Sequence, residues 1–235
     1  EIRFVMDRNI NEQLTLGATA LYSEEEIDYD GFNHEFDHID RTRSAGSIYA
    51  SFDSGSITNK IKRSFSNTDR YDRNGWNKSF IGSRDVWNYT GQTIFNGANV
   101  TFGYEESTEE ADIDGQIKDY KETAVISEVN YALGKNSDIS LAARRTSSKN
   151  YGDDTTYRLA AINRHQDELT SRLVLSSGFR APSLYELFDS YYGNSTFTPE
   201  TSLNAEIGLE KKLNETSEFS ATIFNNTVDN LIEFN

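Results

Sequence analysis

The sequence predicts an all-β protein: an antiparallel transmembrane β-barrel segment of about twelve strands. Three observations support this fold class. Apolar residues alternate with polar ones along most of the chain, and short turns alternate with long polar segments. The composition is also mixed, with 36% hydrophobic residues, 13 Tyr and 14 Phe but a mean hydropathy of -0.68. Such a chain suits a sheet with one apolar and one wet face.

Period-two alternation defines the strands. It is clear in Leu14, Leu16, Ala18, Ala20 and Tyr22, and it returns in several later segments. Alternate residues of a strand point to opposite faces, so each segment presents one apolar face. The predicted strands are 1–8, 13–25, 41–54, 57–68, 82–94, 98–108, 119–133, 138–149, 154–165, 168–178, 202–213 and 217–229.

The connections between these strands are of two kinds. The short ones are predicted at 9–12, 53–56, 95–97, 134–137, 164–167 and 214–217. The longer, polar ones are predicted at 26–40, 69–81, 109–118 and 179–201. Short turns at one end and long loops at the other are typical of transmembrane barrels. A soluble β-sandwich, which usually has shorter strands and Greek-key crossings, is the alternative fold.

Composition excludes several functional classes. The net charge of -15 argues against a nucleic-acid partner, because phosphate binding needs clustered Lys and Arg. With no cysteine, the chain has no disulfide, thiolate metal site or cysteine nucleophile. No apolar run reaches the 18 or more residues typical of a transmembrane helix. The chain opens at Glu1 within an apparent strand and without a signal peptide, so we expect it to be part of a longer protein.

Residues 34–38 match the zinc-protease pattern H-E-x-x-H by letter, through His34, Glu35 and His38. That pattern works on a helix, which places both histidines on one face beside the metal. Turn-forming residues surround it here, and no amphipathic helix is indicated. We interpret it as a chance match, and we predict no catalytic residues and no enzymatic activity.

Two acidic stretches stand out: residues 24–30 and residues 105–114. Ca²⁺ takes six to eight oxygen ligands, so we consider a calcium site in the first acidic loop, at Glu26, Asp28 and Asp30. The alternative is a solvated, self-repelling surface loop. No other cofactor is predicted.

The most distinctive segment begins at Ser177 and reads SGFRAPSLYELF, followed by YGN and by Pro199-Glu200. Pro182 cannot donate to a sheet ladder, so a strand should end before it. Leu184, Leu187 and Phe188 have the spacing of a short helical turn, which Ser183 could cap. Arg180 could form charge-assisted pairs with Glu186 and Glu200. These features predict a structured loop.

This segment resembles the signature GFRAPSLYEL followed by YGNPxLxPE of TonB-dependent outer-membrane receptors, and among them the cobalamin (vitamin B12) receptor-like group. The resemblance covers residues 167–213, and the rest of the chain matches only in its strand and loop pattern. Ser195 and Phe197 stand where the signature has Pro and Leu. The resemblance implies that Arg180, Pro182, Tyr185, Glu186, Pro199 and Glu200 shape an extracellular loop or contact ligand there.

The resemblance also implies a barrel of about 22 strands with a plugged lumen. Residues 1–235 would be roughly half of that barrel domain, without the plug and the terminal strands. The function implied is TonB-energised import of a corrinoid such as vitamin B12, or alternatively of a ferric siderophore. The protein would lie among the lipids of the bacterial outer membrane and engage TonB through the N-terminal plug. A passive porin-like barrel is a further alternative.

Overall fold

The computed structural model describes residues 1–30, 36–73, 79–113, 115–166 and 168–233. The strands are β1 (Ile2–Asn11), β2 (Leu14–Asp30), β3 (Phe36–Ser54), β4 (Ile57–Asp72), β5 (Ser79–Phe95), β6 (Ala98–Ile113), β7 (Gln116–Leu133), β8 (Ser137–Ser148), β9 (Gly152–Arg164), β10 (Leu169–Arg180), β11 (Glu200–Asn214) and β12 (Ser217–Asp229). A short helix, α1 (Leu184–Phe188), lies between β10 and β11. In the described ranges, no helix has the length and apolar character needed to cross a membrane.

All twelve strands form one antiparallel sheet in which the spatial order equals the chain order. Each strand pairs with the next one, as in the register Leu141 opposite Val129 between β8 and β7. This single meander confirms the all-β antiparallel prediction. It also differs from a sandwich, in which two sheets pack face to face.

The six short turns lie where the alternation predicts them. At residues 96–97 both Asn96 and Gly97 have positive φ, 49° and 80°. This is the conformation of the two-residue hairpin turn whose twist matches that of the strands it joins. These six turns lie at one end of the sheet, which we call the turn end.

At the opposite end the predicted loops are too long. The predicted loop 26–40 is mostly strand, because β2 extends to Asp30 and β3 begins at Phe36. Likewise β6 extends to Ile113 and β7 begins at Gln116. The connection 149–151 is short as well, so the alternation of short and long connections is not strict. The alternation of apolar and polar residues stops at the predicted strand ends, but the hydrogen-bonded pairing between the strands continues beyond them.

The two faces of the sheet differ in chemistry. One face, which includes Phe4, Ile48, Leu141 and Ile207, is apolar and exposed, and we call it the outer face. The other face carries polar and charged side chains, among them Lys62, Glu105, Arg144 and Arg172, and we call it the lumen face. An apolar exterior and a polar interior characterise a transmembrane barrel wall.

The apolar part of the outer face covers the turn end and stops partway along the strands. On β2 it runs from Leu14 to Tyr22 and is followed by Glu24, Glu26 and Asp28 on the same face. Aromatic side chains mark its upper border at Tyr22, Phe65, Trp87, Tyr104 and Tyr157, and its lower border at Phe52, Phe95, Tyr131 and Phe219. Aromatic girdles flank the lipid-facing band of transmembrane barrels. The strands therefore continue beyond the membrane into an aqueous rim.

Candidate functional site at the rim of the sheet

The rim opposite the turn end is uneven in height. β6 and β7 pair up to Ile113 and Gln116, whereas the β7 and β8 ladder ends at Glu122 and Ser148. The β6–β7 hairpin extends six residues of β7, from Gln116 to Glu122, beyond the end of the β7–β8 ladder. At about 3.3 Å per residue, it rises about 20 Å above the adjoining turn. We call the gap above residues 148–152 the rim notch.

The 181–199 connection crosses this notch. It leaves β10 at Arg180 and packs α1 against β7 and β6, which lie two and three strands beyond β9. Leu184, only 1% exposed, joins a buried cluster with Ala111, Ile113 and Tyr120, and Phe80 and Phe188 pack on its margin. These cluster residues of β6 and β7 belong to the lumen face. The connection therefore lies on the lumen side of the rim.

Local sequence explains why a helix forms here. The strand ends before Pro182, and Ser183 has extended backbone angles suited to a helix cap. The Ser183 hydroxyl accepts a hydrogen bond from the Glu186 N–H at 3.2 Å, and the Glu186 carboxylate accepts one from the Ser183 N–H at 2.7 Å. This reciprocal capping box stabilises the first helical turn. The structure confirms the predicted short turn capped by Ser183.

Arg180 bridges two carboxylates, as the sequence predicts. Its Nε and Nη2 donate to Glu200 at 2.8 and 2.7 Å, and its Nη1 donates to Glu186 at 3.1 Å. A two-point guanidinium–carboxylate pair is both strong and directional. Burial opposes ionisation of Glu186, but hydrogen bonds from Ser183 and Arg180 outweigh it and lower the pKa of that carboxyl. We call Arg180, Glu186 and Glu200 the ion latch.

The ion latch also reaches the segment that follows β12. The Ile232 N–H donates to Glu200 at 2.9 Å, and the Asn230 amide donates to the Pro199 carbonyl at 3.4 Å. Glu200 therefore holds the start of β11, the end of β10 and the next connection together. Sequence alone indicated only the two charge pairs.

Hydrogen bonds also fix the backbone of the segment that follows α1. Asp189, 5% exposed, accepts hydrogen bonds from the N–H groups of Tyr191 and Tyr192 at 2.9 and 2.7 Å. Its own carbonyl accepts from Gly193 at 3.0 Å. Tyr191 and Tyr192 are 60% and 51% exposed, and their rings meet edge to face with centroids 5.0 Å apart. We call them the tyrosine pair.

Further aromatic contacts lie on both sides of the notch. Tyr185 lies edge-on to Phe80 at 6.3 Å between centroids. Tyr151, in the low turn, contacts Tyr120 at 6.0 Å and Phe179 at 5.5 Å. Burial and a hydrogen bond to Glu122 raise the pKa of Tyr151, so its hydroxyl stays protonated. Sequence reasoning named Tyr185 but missed Phe80, Tyr120 and Tyr151, because these residues and their partners are far apart along the chain.

The acidic stretches are not loops. Glu26, Asp28 and Asp30 lie on β2, so their placement in a loop was wrong. They share the outer face, where Glu26 is 3.5 Å from Arg73 and Asp28 contacts His38. Within the described ranges, no three acidic or histidine side chains come close enough to hold a metal. Calcium binding at this position stays a prediction.

The alternation of the strand splits the second acidic stretch between the faces. Glu105 and Glu109 lie on the lumen face, where they contact Arg144 at 2.8 Å and Tyr120 at 3.1 Å. Glu106 lies on the outer face, 2.7 Å from Lys121. The zinc-protease pattern is only partly described: His38 lies on β3, whereas His34 and Glu35 are outside the described residues.

Comparisons with known proteins agree with this architecture. The family model for "TonB dependent receptor-like, beta-barrel" matches residues 3–235. The vitamin B12 transporter BtuB of Vibrio cholerae is 31% identical over 88 residues, which are 37% of this chain and 14% of that protein. The chain therefore covers only a small share of this curated relative's length.

Solved receptors share the fold. The siderophore receptor PirA from Pseudomonas aeruginosa has a TM-score of 0.82 and 14% identity over 96% of this chain and 45% of its own. PirA from Acinetobacter baumannii has a TM-score of 0.83 and 14% identity over 96% of this chain and 42% of its own. The copper transporter OprC has a TM-score of 0.71 and 10% identity, over 96% and 44%. The family match covers nearly the whole chain, so this chain belongs to the TonB-dependent receptor β-barrels of the bacterial outer membrane.

Proposed function

We propose that the whole protein is a receptor that imports a scarce nutrient across the outer membrane with energy delivered by TonB, and that this nutrient is a corrinoid such as vitamin B12. The observation that carries the corrinoid is sequence similarity to a vitamin B12 transporter over 88 residues. The siderophore receptors resemble the chain at 14% identity, which speaks for fold rather than ligand.

The architecture suits the import of a ligand better than it suits catalysis. The apolar outer face meets lipid, and the polar lumen face can line a path for a hydrated ligand. The 181–199 connection lies beside that path on the side away from the turn end. We propose that TonB acts through an N-terminal plug, that the protein is not an enzyme, and that the rim takes up ligand from outside the cell.

Charge also favours a corrinoid over an anionic iron complex. The net charge of -15 and the outer-face carboxylates beyond the aromatic border create a negative field around the rim. Such a field slows the approach of anions and leaves a neutral ligand unaffected. A ferric catecholate is anionic, whereas cyanocobalamin is neutral overall. A ferric siderophore remains the second candidate because of the structural likeness.

Uptake by the full-length protein tests the proposal. The protein would be expressed in a bacterium that lacks its own corrinoid and siderophore receptors, and accumulation of labelled cyanocobalamin would be compared with that of ferric enterobactin. We expect cyanocobalamin uptake that stops when TonB is deleted. Uptake of the siderophore alone would contradict the corrinoid, and uptake that persists without TonB would indicate a passive pore.

A further inference from the structure

The carboxylate of Glu200 is shared by two connections at the rim. Its Oε1 accepts hydrogen bonds from Nη2 of Arg180 at 2.7 Å and from the Ile232 N–H at 2.9 Å. Arg180 is also bound to Glu186, which lies on α1 and therefore in the 181–199 connection, at 3.1 Å. Ile232 lies after the end of β12, in residues 230–233, which we call the 230–233 segment. One oxygen atom of Glu200 thus links the two connections.

The geometry of the ion latch makes this link sensitive to the position of α1. Arg180 also donates from Nε to Oε2 of Glu200 at 2.8 Å, and such a two-point contact fixes the plane of the carboxylate. That plane directs Oε1 toward the Ile232 N–H. The Glu200 side chain is only 14% exposed, so water has little access to replace a lost partner.

Movement of α1 should therefore reach Ile232 through two side chains. If α1 leaves its place, Glu186 moves with it and Arg180 loses one of its two anionic partners. The guanidinium is then free to move, and the orientation of the Glu200 carboxylate is no longer fixed. The hydrogen bond from Ile232 should weaken as a result. The contact from the Asn230 amide to the Pro199 carbonyl, at 3.4 Å, is longer and involves no charged group.

We propose that the ion latch makes the 181–199 connection and the 230–233 segment open and close as one unit, with Glu200 as the positioning residue that couples them. The coupling acts in both directions, because a free energy shared by two sites is reciprocal. An event that orders one connection then orders the other without touching it. The coupling is a property of the ligand-free receptor and does not depend on which nutrient is imported.

Hydrogen exchange of the full-length receptor in lipid nanodiscs tests the coupling. Leu184→Ala releases α1 from its buried cluster and leaves every member of the ion latch in the chain. We expect the Ile232 amide, followed in peptides that cover 230–233, to exchange about fivefold faster or more in this variant. With Glu200→Ala the same amide should already exchange fast, and adding Leu184→Ala should change its rate by less than about twofold. Leu187→Ala, in the same helix but outside the buried cluster, is the matched control and should leave that rate unchanged.

The reverse experiment starts from the other connection. Ile232→Pro removes the N–H from which Glu200 accepts, whereas Ile232→Ala removes the side chain and keeps that N–H. The readout is exchange of the two N–H groups of the tyrosine pair, which Asp189 holds. By reciprocity the proline variant should speed this exchange about fivefold or more. The alanine variant should stay within about twofold of the wild type.

Unchanged exchange at Ile232 in the Leu184→Ala receptor would overturn the coupling. An equal acceleration in the Glu200→Ala background would overturn it as well, because the two connections would then communicate without Glu200. In the reverse experiment, equal effects of proline and alanine at position 232 would rule out the backbone hydrogen bond as the link. Heat-modifiable gel migration establishes first that the barrel of each variant is folded.

Discussion

Arg180 shows how one side chain can join elements that are distant in sequence. Its guanidinium contacts carboxylates from α1 and from β11, and Glu200 also accepts from the backbone beyond β12. Exposed ion pairs usually contribute little to stability. In this case the two carboxylates are mostly buried, so removing the cation leaves two like charges close together with little water to solvate them.

Replacing Arg180 with Ala should therefore release the 181–199 connection while leaving the barrel folded. We expect protease cleavage within 181–199 to become several-fold faster in the folded receptor. The control is Arg145→Ala, which removes an equally close pair with Asp153 in which both side chains are largely exposed. Equal cleavage rates for Arg180→Ala and wild type would show that the ion latch does not hold the connection.

Glu186 predicts how the connection responds to acid. Its pKa is lower in the folded protein than the usual glutamate value of about 4.3. Stabilisation by its ionised form is therefore complete above that usual value and is lost as the pH falls through the lowered pKa. Hydrogen exchange of the 181–199 amides, corrected for intrinsic rates, should accelerate only in that acidic range. Glu186→Gln should reduce this pH dependence, and the part that remains belongs to Glu200, whose pKa the hydrogen bonds from Arg180 and the Ile232 N–H lower to about 2. An unchanged dependence would show that Glu186 does not contribute.

At the scale of elements, α1 is stabilised mainly by one buried side chain, because the helix is too short to be stable by its own backbone hydrogen bonds. A five-residue helix is not stable alone, and Leu184 supplies its anchor on the lumen face. The Ser183 cap and the Arg180 pairs could be read from the sequence because their partners are nearby or carry the opposite charge. The docking surface of Leu184 could not be read from the sequence. Phe80, Ala111 and Tyr120 lie between 64 and 104 residues before Leu184, and no sequence pattern links them to it.

Leu184→Ala should loosen α1 without affecting the sheet. Large-to-small changes at buried leucines cost about 2–5 kcal/mol, and here most of that cost should appear as local opening. We expect the amide protection of 183–194 to fall while that of β6 and β7 is unchanged. Leu187→Ala, in the same helix but outside the buried cluster, should have a clearly smaller effect. Equal effects of the two changes would mean that Leu184 is not the anchor.

The strands show where sequence patterns stop being informative. Turn chemistry, as at Asn96-Gly97, located the short connections correctly. At the opposite edge the predicted strands were too short, because the alternation of apolar and polar residues ends at the aromatic border. Above it the outer face is largely polar, as at Glu24, Glu26 and Asp28, and pairing is maintained by the backbone ladder and by ion pairs such as Arg73 with Asp40 at 2.9 Å.

On the scale of the whole molecule, an arginine substitution should destabilise the protein on the outer face and have little effect on the lumen face. An arginine near the middle of the lipid-facing band costs about 2–4 kcal/mol. Leu141→Arg on the outer face should therefore lower the urea midpoint of the receptor in liposomes. Ser140→Arg, one residue away on the lumen face, should have little effect. Similar losses for both would contradict the assignment of the faces.

The match between chain order and spatial order has a consequence for biogenesis. Because every strand pairs only with its neighbours in sequence, the wall can grow one hairpin at a time. No later segment has to thread between strands that are already in place. Except across the 181–199 connection, each addition closes only a short loop, so its entropic cost stays small as the wall lengthens. The same rule makes the wall extensible, since a duplicated hairpin could be inserted without rearranging any other pairing.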